Sequence, residues 1–116
     1  MSDCIFCKIV ADEIPSRKVY EDEKVLAFED LNPHVASHTL IIPKKHYSDI
    51  ADGIPDDEMG YLFNTVAKVA KIKGIDKSGF RIQVNTGADA QQSVFHVHIH
   101  VLGGEPMNIG SPKREK

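Results

Sequence analysis

The sequence lacks the features that define several broad classes of protein. It has no tryptophan, only two cysteines, and no apolar run longer than a few residues. A disulfide-stabilised framework and a transmembrane helix are therefore excluded. Basic residues are in the minority, with 14 Lys and Arg against 17 Asp and Glu, which gives a formal net charge of −3. This balance argues against a protein that binds the phosphate backbone of nucleic acids.

The chain also lacks internal repeats and any linker rich in glycine or serine. Its 116 residues, of which 41% are hydrophobic, suffice for one compact core. We therefore expect a single domain over residues 1–116, with residues 1–3 and about 110–116 flexible. Because the sequence does not open on a charged and then apolar leader, we expect a cytoplasmic protein with no membrane partner.

The apolar pattern predicts an α+β domain of about five short, mostly antiparallel strands and one long helix. The strands are expected at residues 18–20, 25–29, 38–42, 80–84 and 95–102. Residues 56–73 carry apolar side chains at helical spacing, with acidic residues at the start and lysines near the end, which is typical of a helix. Residues 4–10 fit either a short helix or a short strand.

The last expected strand, at residues 95–102, contains three histidines in strict alternation. Side chains alternate between the two faces of a strand. The apolar set, which is expected to enter the core, is Phe95, Val97, Ile99 and Val101, and the opposite set is His96, His98 and His100. Neighbouring histidines would lie roughly 6.6 Å apart and the outer two roughly 13 Å apart. One metal ion could therefore bind two adjacent rings but not all three, so the row is expected to divide its roles.

The segment HVHIHVL at residues 96–102 resembles the signature of the histidine triad superfamily of nucleotide hydrolases and transferases, in which histidines alternate with apolar residues. The similarity also covers CIFCKI at residues 4–9, IPKKH at 42–46, QSVF at 92–95 and LGG at 102–104. The chain most resembles the compact branch of histidine triad nucleotide-binding proteins, which are purine nucleoside phosphoramidases. The third histidine favours a hydrolase, since the uridylyltransferase branch has glutamine at that position.

This resemblance implies a histidine-triad fold with a short N-terminal helix, and an enzyme that cleaves purine nucleoside 5′-phosphoramidates or adenylates, such as AMP–amine or AMP–lysine adducts. His98 would attack phosphorus and form a covalent nucleotidyl-histidine. His100 and Ser93 would contact the phosphate and the leaving group, and either could supply the proton that the leaving amine needs. His38 would support the nucleophile through a hydrogen bond.

Two other functions remain open at this point. A dinucleoside polyphosphate hydrolase would use the same nucleophile with a different leaving group. A zinc-stabilised module could instead bind nucleotides for regulation or partner contacts without significant catalysis.

The resemblance also implies a site for AMP, GMP or adenylates. Asp30 would accept hydrogen bonds from the ribose hydroxyls, and Leu31 would lie beside it. The apolar walls of the purine pocket would be Ile5, Phe6, Ile9, Ile14 and Phe28. The phosphate side would consist of Asn85, Gln91, Gln92, Ser93 and Val94, together with His98 and His100. Gln91 departs from the family, in which a glycine commonly lets the backbone approach phosphate closely.

Cys4 and Cys7 have the C-x-x-C spacing of metal sites and of redox dithiols, which the spacing alone does not distinguish. In the zinc-containing members of the family, these cysteines are joined by the histidine of the Pro-Lys-x-His segment and the first histidine of the triad. The resemblance therefore implies one zinc ion per chain, bound by Cys4, Cys7, His46 and His96. Such a closed Cys₂His₂ site leaves no open position, so the zinc would be structural.

Family members of this size are usually homodimers, which implies that two copies of the chain form a continuous ten-stranded sheet. Residues 105–109 lack the tryptophan that some members have there. Because this segment shapes the leaving-group side in the family, it affects the expected choice of substrate.

Overall fold

The computed structural model describes residues 3–107, which form a five-stranded antiparallel sheet and two helices. The helices are α1 (Ile5–Val10) and α2 (Asp56–Ile72), and the strands are β1 (Lys18–Glu21), β2 (Val25–Glu29), β3 (Ser37–Pro43), β4 (Phe80–Gln83) and β5 (Ile99–Gly103). Their order in the sheet is β1-β2-β3-β5-β4, and each neighbouring pair is antiparallel. The expected α+β fold and the short N-terminal helix are confirmed. Residues 1–2 and the tail at 110–116, which were expected to be flexible, lie outside the described residues.

The two faces of the sheet are covered by different helices. On one face, α2 packs Leu62, Val66 and Val69 against the sheet in the larger of two hydrophobic clusters. On the other face, Phe6 and Ile9 of α1 pack in the second cluster, whose members from the sheet are Leu26, Phe28, Leu40 and Ile42. A six-residue helix is not stable by itself in water. The position of α1 therefore depends on these contacts and on the N-cap residue Cys4, whose Sγ accepts the N–H of Cys7.

The last strand is shorter than the sequence pattern predicted, and the expectation of a strand at residues 95–98 is wrong. β5 begins at Ile99, because the backbone N–H of Val97 donates a hydrogen bond to the carbonyl of Tyr47 (2.7 Å) and not to a neighbouring strand. Phe95, which was expected in the core, is 55% exposed. Val97, Ile99 and Val101 do lie in the core, as expected. His96 and His98 consequently precede the strand, and His100 lies within it.

The described helices are all too short or too polar to cross a membrane. The cytoplasmic location expected from the sequence stays a prediction.

The carboxylate of Asp22 connects the β1–β2 hairpin to α2 through hydrogen bonds. One oxygen accepts the backbone N–H groups of Lys24 (2.8 Å) and Val25 (3.0 Å), and the other accepts the hydroxyls of Tyr20 (2.7 Å) and Tyr61 (2.6 Å). Burial would raise the pKa of Asp22, but these four hydrogen bonds outweigh it and hold the pKa well below its usual range. The same contact raises the pKa of Tyr61 to about 12.

We expect Asp22→Ala to lower the free energy of unfolding at pH 7 by about 3 kcal/mol, because the change removes an ionised acceptor shared by four donors. A carboxylate with a depressed folded-state pKa stabilises the fold above the unfolded pKa of about 3.9, and this stabilisation is lost as the pH falls toward the folded value. Urea denaturation from pH 7 down to pH 2.5 should show the difference from wild type shrinking below about pH 4. The exposed Asp76→Ala variant is the control, and a difference that does not change with pH would contradict the prediction.

Candidate functional site: two cavities that meet at the histidines

Two cavities of opposite character meet at His98 and His100. The first, the apolar cavity, has a volume of about 310 Å³ and a mostly apolar surface. The second, the polar cavity, has a volume of about 780 Å³, and all its lining residues except Ala90 have polar side chains. The residues that line both cavities are Asp30, Asn32, Ser93, His98 and His100. A molecule with one apolar and one polar end could therefore span the junction, with its central atoms beside the histidines.

His98 is held as a neutral imidazole with a defined tautomer. Its ring is 4% exposed, and its Nδ1 lies 2.8 Å from the carbonyl oxygen of His96. A carbonyl can only accept a hydrogen bond, so Nδ1 carries the proton and Nε2 has the free lone pair. Burial lowers the pKa of His98, which favours the neutral form. The edge-to-face contact with Phe6, at 5.1 Å between ring centres, further restricts the ring. The free Nε2 is suited to nucleophilic attack.

A chain of hydrogen bonds defines the tautomer of His100. The backbone N–H of His34 donates to Nδ1 of His38 (3.1 Å), so a neutral His38 carries its proton on Nε2. That Nε2 lies 2.9 Å from Nδ1 of His100, which accepts the hydrogen bond and therefore keeps its own proton on Nε2. Burial lowers the pKa of His38 and lowers that of His100 to about 4. His100 is thus a neutral ring with an N–H donor available to a ligand.

The same hydrogen bonds argue against a metal ion bound by Asp30, His38 and His100. Asp30, His38 and His100 place three possible ligand atoms within 4.8 Å of one another. Asp30 Oδ2 lies 3.4 Å from His38 Nε2. A metal on that nitrogen would require the proton of His38 to move to Nδ1, where the N–H of His34 already donates. We therefore interpret this group as a hydrogen-bond network.

Cys4, Cys7, His46 and His96 form a second group of donors, on the other side of His98. Nε2 of His96 donates to the carbonyl of Pro43 (2.8 Å), which leaves the lone pair of Nδ1 directed at the group. That Nδ1 lies 3.4 Å from Sγ of Cys4, 3.5 Å from Sγ of Cys7 and 3.2 Å from Nδ1 of His46. Tetrahedral zinc with bonds of about 2.0–2.3 Å separates its ligand atoms by roughly 3.3–3.8 Å. The four side chains therefore fit a zinc ion closely.

The apolar cavity contains the residues that the sequence assigned to the nucleoside. Its lining includes Ile5, Phe6, Ile9, Ile14, Phe28, Asp30, Leu31, Ser93 and Val94. The rings of Phe6 and Phe28 pack edge to face at 5.5 Å, so both are core residues as well as cavity walls. Leu31 is 87% exposed and lies at the rim. The structure thus brings together side chains that are far apart in the sequence, although their contacts with a ligand stay a prediction.

The loop at residues 84–92 forms one side of the polar cavity, and Asn85, Gln91 and Gln92 line it. Their expected contacts with phosphate stay a prediction. The side chain of Gln92 is used within the protein: its Oε1 accepts the N–H of Gly87 (2.9 Å), and its Nε2 donates to the carbonyls of Ser48 (2.7 Å) and Val94 (3.0 Å). Gln92 therefore shapes the loop. Gln91 has φ +60°, in the left-handed region that favours glycine.

Sequence reasoning missed several residues that line the polar cavity. They are Asn32, His34, Gln83, Asp89 and Ala90. These residues come from separate loops and from the edge strand β4. They meet because β5 lies between β3 and β4 in the sheet. No spacing in the sequence signals this arrangement.

An antiparallel α+β fold with alternating histidines beside a nucleotide-sized pair of cavities is the architecture of histidine triad proteins. The HIT domain family matches residues 11–107, and the chain belongs to this family.

The similarity to individual proteins is high over nearly the whole chain. The 14 kDa zinc-binding protein of Zea mays is 47% identical over an alignment of 113 positions that covers 92% of this chain and 86% of that protein. A histidine triad protein from Clostridium difficile has a TM-score of 0.88 at 49% identity, covering 96% of this chain and 98% of that one. A HIT family hydrolase from Clostridium thermocellum also has a TM-score of 0.88, at 40% identity, covering 93% and 96%.

Proposed function

We propose that this protein is a hydrolase that cleaves purine nucleoside 5′-phosphoramidates or adenylates, with His98 as the nucleophile. The observation that carries the proposal is the buried His98, which lines both cavities and whose Nδ1 donates to the His96 carbonyl, so that the lone pair of Nε2 is free. The similarity to the HIT family hydrolase of Clostridium thermocellum supports a hydrolase.

The reaction would proceed in two displacements. Nε2 of His98 attacks the α-phosphorus, the P–N bond breaks, and the leaving nitrogen takes the electron pair and a proton to depart as an amine. Water then attacks the nucleotidyl-histidine, releases the nucleoside monophosphate and restores the imidazole. Two neighbours of the junction, His100 with its Nε2–H and Ser93 with its hydroxyl, would bind the phosphoryl oxygens and the leaving nitrogen.

The nucleoside would occupy the apolar cavity. A purine base has two large apolar faces, and the walls formed by Ile5, Phe6, Ile9, Ile14 and Phe28 match them. The carboxylate of Asp30, which borders both cavities, would accept hydrogen bonds from the ribose hydroxyls. AMP, GMP and their adducts are the ligands that such a site would take.

The charge of the polar cavity favours a phosphoramidate over a dinucleoside polyphosphate. A polyphosphate leaving group is strongly anionic and needs cationic partners. Of the described residues, those that line this cavity include two carboxylates and no lysine or arginine. Arg81, two residues before Gln83 on β4, is not one of them.

The test of this proposal is direct. Purified protein should release AMP and ammonia from adenosine 5′-phosphoramidate, and should hydrolyse diadenosine polyphosphates more slowly. Binding of AMP without turnover of either substrate would instead favour the alternative, a zinc-stabilised nucleotide-binding module.

We infer that Cys4, Cys7, His46 and His96 bind one structural zinc ion per chain. The separations of their donor atoms support this inference, as does the similarity to the 14 kDa zinc-binding protein of Zea mays. Because the four side chains fill a tetrahedral site, the ion would have no position for substrate, and its role would be to hold α1 against the segment that contains His96.

We propose that two copies of the chain associate through β4 to form a ten-stranded sheet. β4 is an edge strand, and Phe80 and Ile82 on it are 38% and 42% exposed. Ile82 pairs with Val101, whose side chain packs against α2. The side chain of Ile82 therefore lies on the face of the sheet that α2 covers. Ile72 at the end of α2 is 53% exposed on that side. Among the described strands, β4 pairs on one side only, and an edge strand with apolar side chains is suited to pairing with an identical edge.

Light scattering after size exclusion should give twice the chain mass of 12.9 kDa for the wild type. We expect Ile82→Glu to give a monomer, because it places a charge within the proposed apolar interface. Ile50→Glu alters an equally exposed isoleucine and should leave the dimer intact. A wild-type monomer at 50 µM would contradict the proposal.

A further inference from the structure

The polar cavity has a negative charge that the proposed chemistry does not use. Asp30 and Asp89 are its two carboxylates. Asp30 is engaged at the junction, where its Oδ1 accepts the N–H of Asn32 (2.8 Å) and its Oδ2 lies 3.4 Å from His38 Nε2. Asp89 takes part in none of the hydrogen bonds or ion pairs among residues 3–107. Its charge is therefore available to a ligand.

Several hydrogen bonds within the loop stabilise the backbone around Asp89. Asn85 Nδ2 donates to the carbonyl of Ala90 (2.7 Å), and the N–H of Gln91 donates to the carbonyl of Ala88 (2.9 Å). Gly87 and Gln92 exchange two further hydrogen bonds, N–H to side-chain oxygen (2.9 Å) and N–H to carbonyl (3.0 Å). These contacts on both sides of Asp89 hold the backbone that places Asp89 in the wall of the polar cavity.

The position of the polar cavity assigns it to the leaving group. In a displacement at phosphorus, the attacking and departing atoms lie roughly in line on opposite sides of the phosphorus. A nucleoside in the apolar cavity and a phosphorus atom at His98 leave, among the cavities that residues 3–107 form, the polar cavity as the remaining one that is lined by both His98 and His100. The part of the substrate that departs would therefore extend past Ser93 toward Asp89.

We propose that Asp89 is a specificity-determining residue that favours leaving amines bearing a second, positively charged group. This inference rests on the proposed function. The carboxylate would attract the distal cation of a diamine, while the nitrogen bonded to phosphorus departs in the same way from charged and uncharged substrates. Attraction at a solvent-accessible carboxylate is modest and weakens with ionic strength.

Two adenosine 5′-phosphoramidates test this inference, one made from 1,4-diaminobutane and one from pentylamine. The two leaving groups have the same length, but one ends in an ammonium group and the other in a methyl group. At low salt we expect the wild type to have the higher kcat/KM for the ammonium substrate. Asp89→Asn should reduce this preference by roughly twofold to fivefold, with kcat/KM for the pentyl substrate unchanged. Raising the salt concentration to 0.5 M should reduce the preference of the wild type but not that of the variant.

Asp76→Asn is the matched control, since Asp76 is exposed and lies outside the cavity. Its preference should equal that of the wild type. If wild type and Asp89→Asn hydrolyse both substrates with the same preference, the role of Asp89 is refuted and the proposed function stands. If the wild type hydrolyses neither substrate, the proposed function fails, and the role of Asp89 fails with it.

Discussion

Replacing His98 with asparagine is expected to reduce turnover of adenosine 5′-phosphoramidate by roughly 10⁴-fold or more, since the variant lacks the proposed nucleophile. The amide nitrogen of asparagine can still donate to the carbonyl of His96, in place of Nδ1 at 2.8 Å. The variant should therefore keep the local structure and lose only the lone pair of Nε2. Single-turnover measurement of AMP release checks the rate, and calorimetric titration with AMP should show binding within about threefold of wild type.

A covalent intermediate distinguishes this role from a merely structural one. Acid-free quenching followed by mass spectrometry should detect the nucleotidyl adduct on wild-type protein and none on His98→Asn. Thermal unfolding of the two proteins should coincide within a few degrees. Turnover at the wild-type rate by a folded His98→Asn protein would exclude His98 as the nucleophile.

The second large effect is expected from removal of a proposed zinc ligand. Cys7→Ser should reduce bound zinc from about one ion per chain to a small fraction, and should lower the free energy of unfolding by about 3–5 kcal/mol. The loss of the ion also affects the apolar cavity, because α1 contains both Cys7 and the wall residues Ile5, Phe6 and Ile9. A six-residue helix without its ligand contacts would not stay in place. We therefore expect AMP to bind roughly tenfold more weakly.

Elemental analysis, thermal unfolding and calorimetry measure these three effects separately. Lys8→Ser is the matched control, because it alters the same helix at a residue outside the donor group. It should keep the zinc and the affinity for AMP. Wild-type protein that contains no zinc and is equally stable after treatment with a chelator would refute the metal site.

Much of the secondary structure could be predicted from local pattern. The apolar spacing of residues 56–73 predicted α2 to within one residue of its observed end, and the hairpin of β1 and β2 lies where it was expected. The prediction was wrong at residues 95–98, where alternation suggested a strand. The segment instead bonds to Tyr47 through the N–H of Val97, and His96 bonds to the carbonyl of Pro43. Contacts with distant segments therefore determine the conformation of residues 95–98. The alternation of residue types within the segment does not reveal such contacts.

The candidate site was predictable to a similar extent. The motif and the resemblance indicated which residues belong to the site, and the structure brings Cys4, Cys7, His46 and His96 within contact of one another. Gln92 was expected on the phosphate side of the site. The structure gives its amide another role, because it forms hydrogen bonds with Gly87, Ser48 and Val94 that shape the loop. Asp89 had no signal in the sequence at all. Its position beside the histidines follows from the path of the loop that leads from β4.

The sequence by itself determined the class of fold and the histidine signature, because periodicity and spacing are properties of short segments. The set of possible zinc ligands came from the resemblance to the histidine triad family. The tertiary structure alone decided which nitrogen of each imidazole carries the proton. Two of those protons depend on partners distant in the sequence: His100 receives a hydrogen bond from His38, and His96 donates one to Pro43. The proton of His98 depends on the backbone before β5, which brings the carbonyl of His96 to its Nδ1. The tertiary structure also decided that the apolar cavity and the polar cavity meet at His98. Each cavity is formed by segments that are brought together by the order of the strands in the sheet.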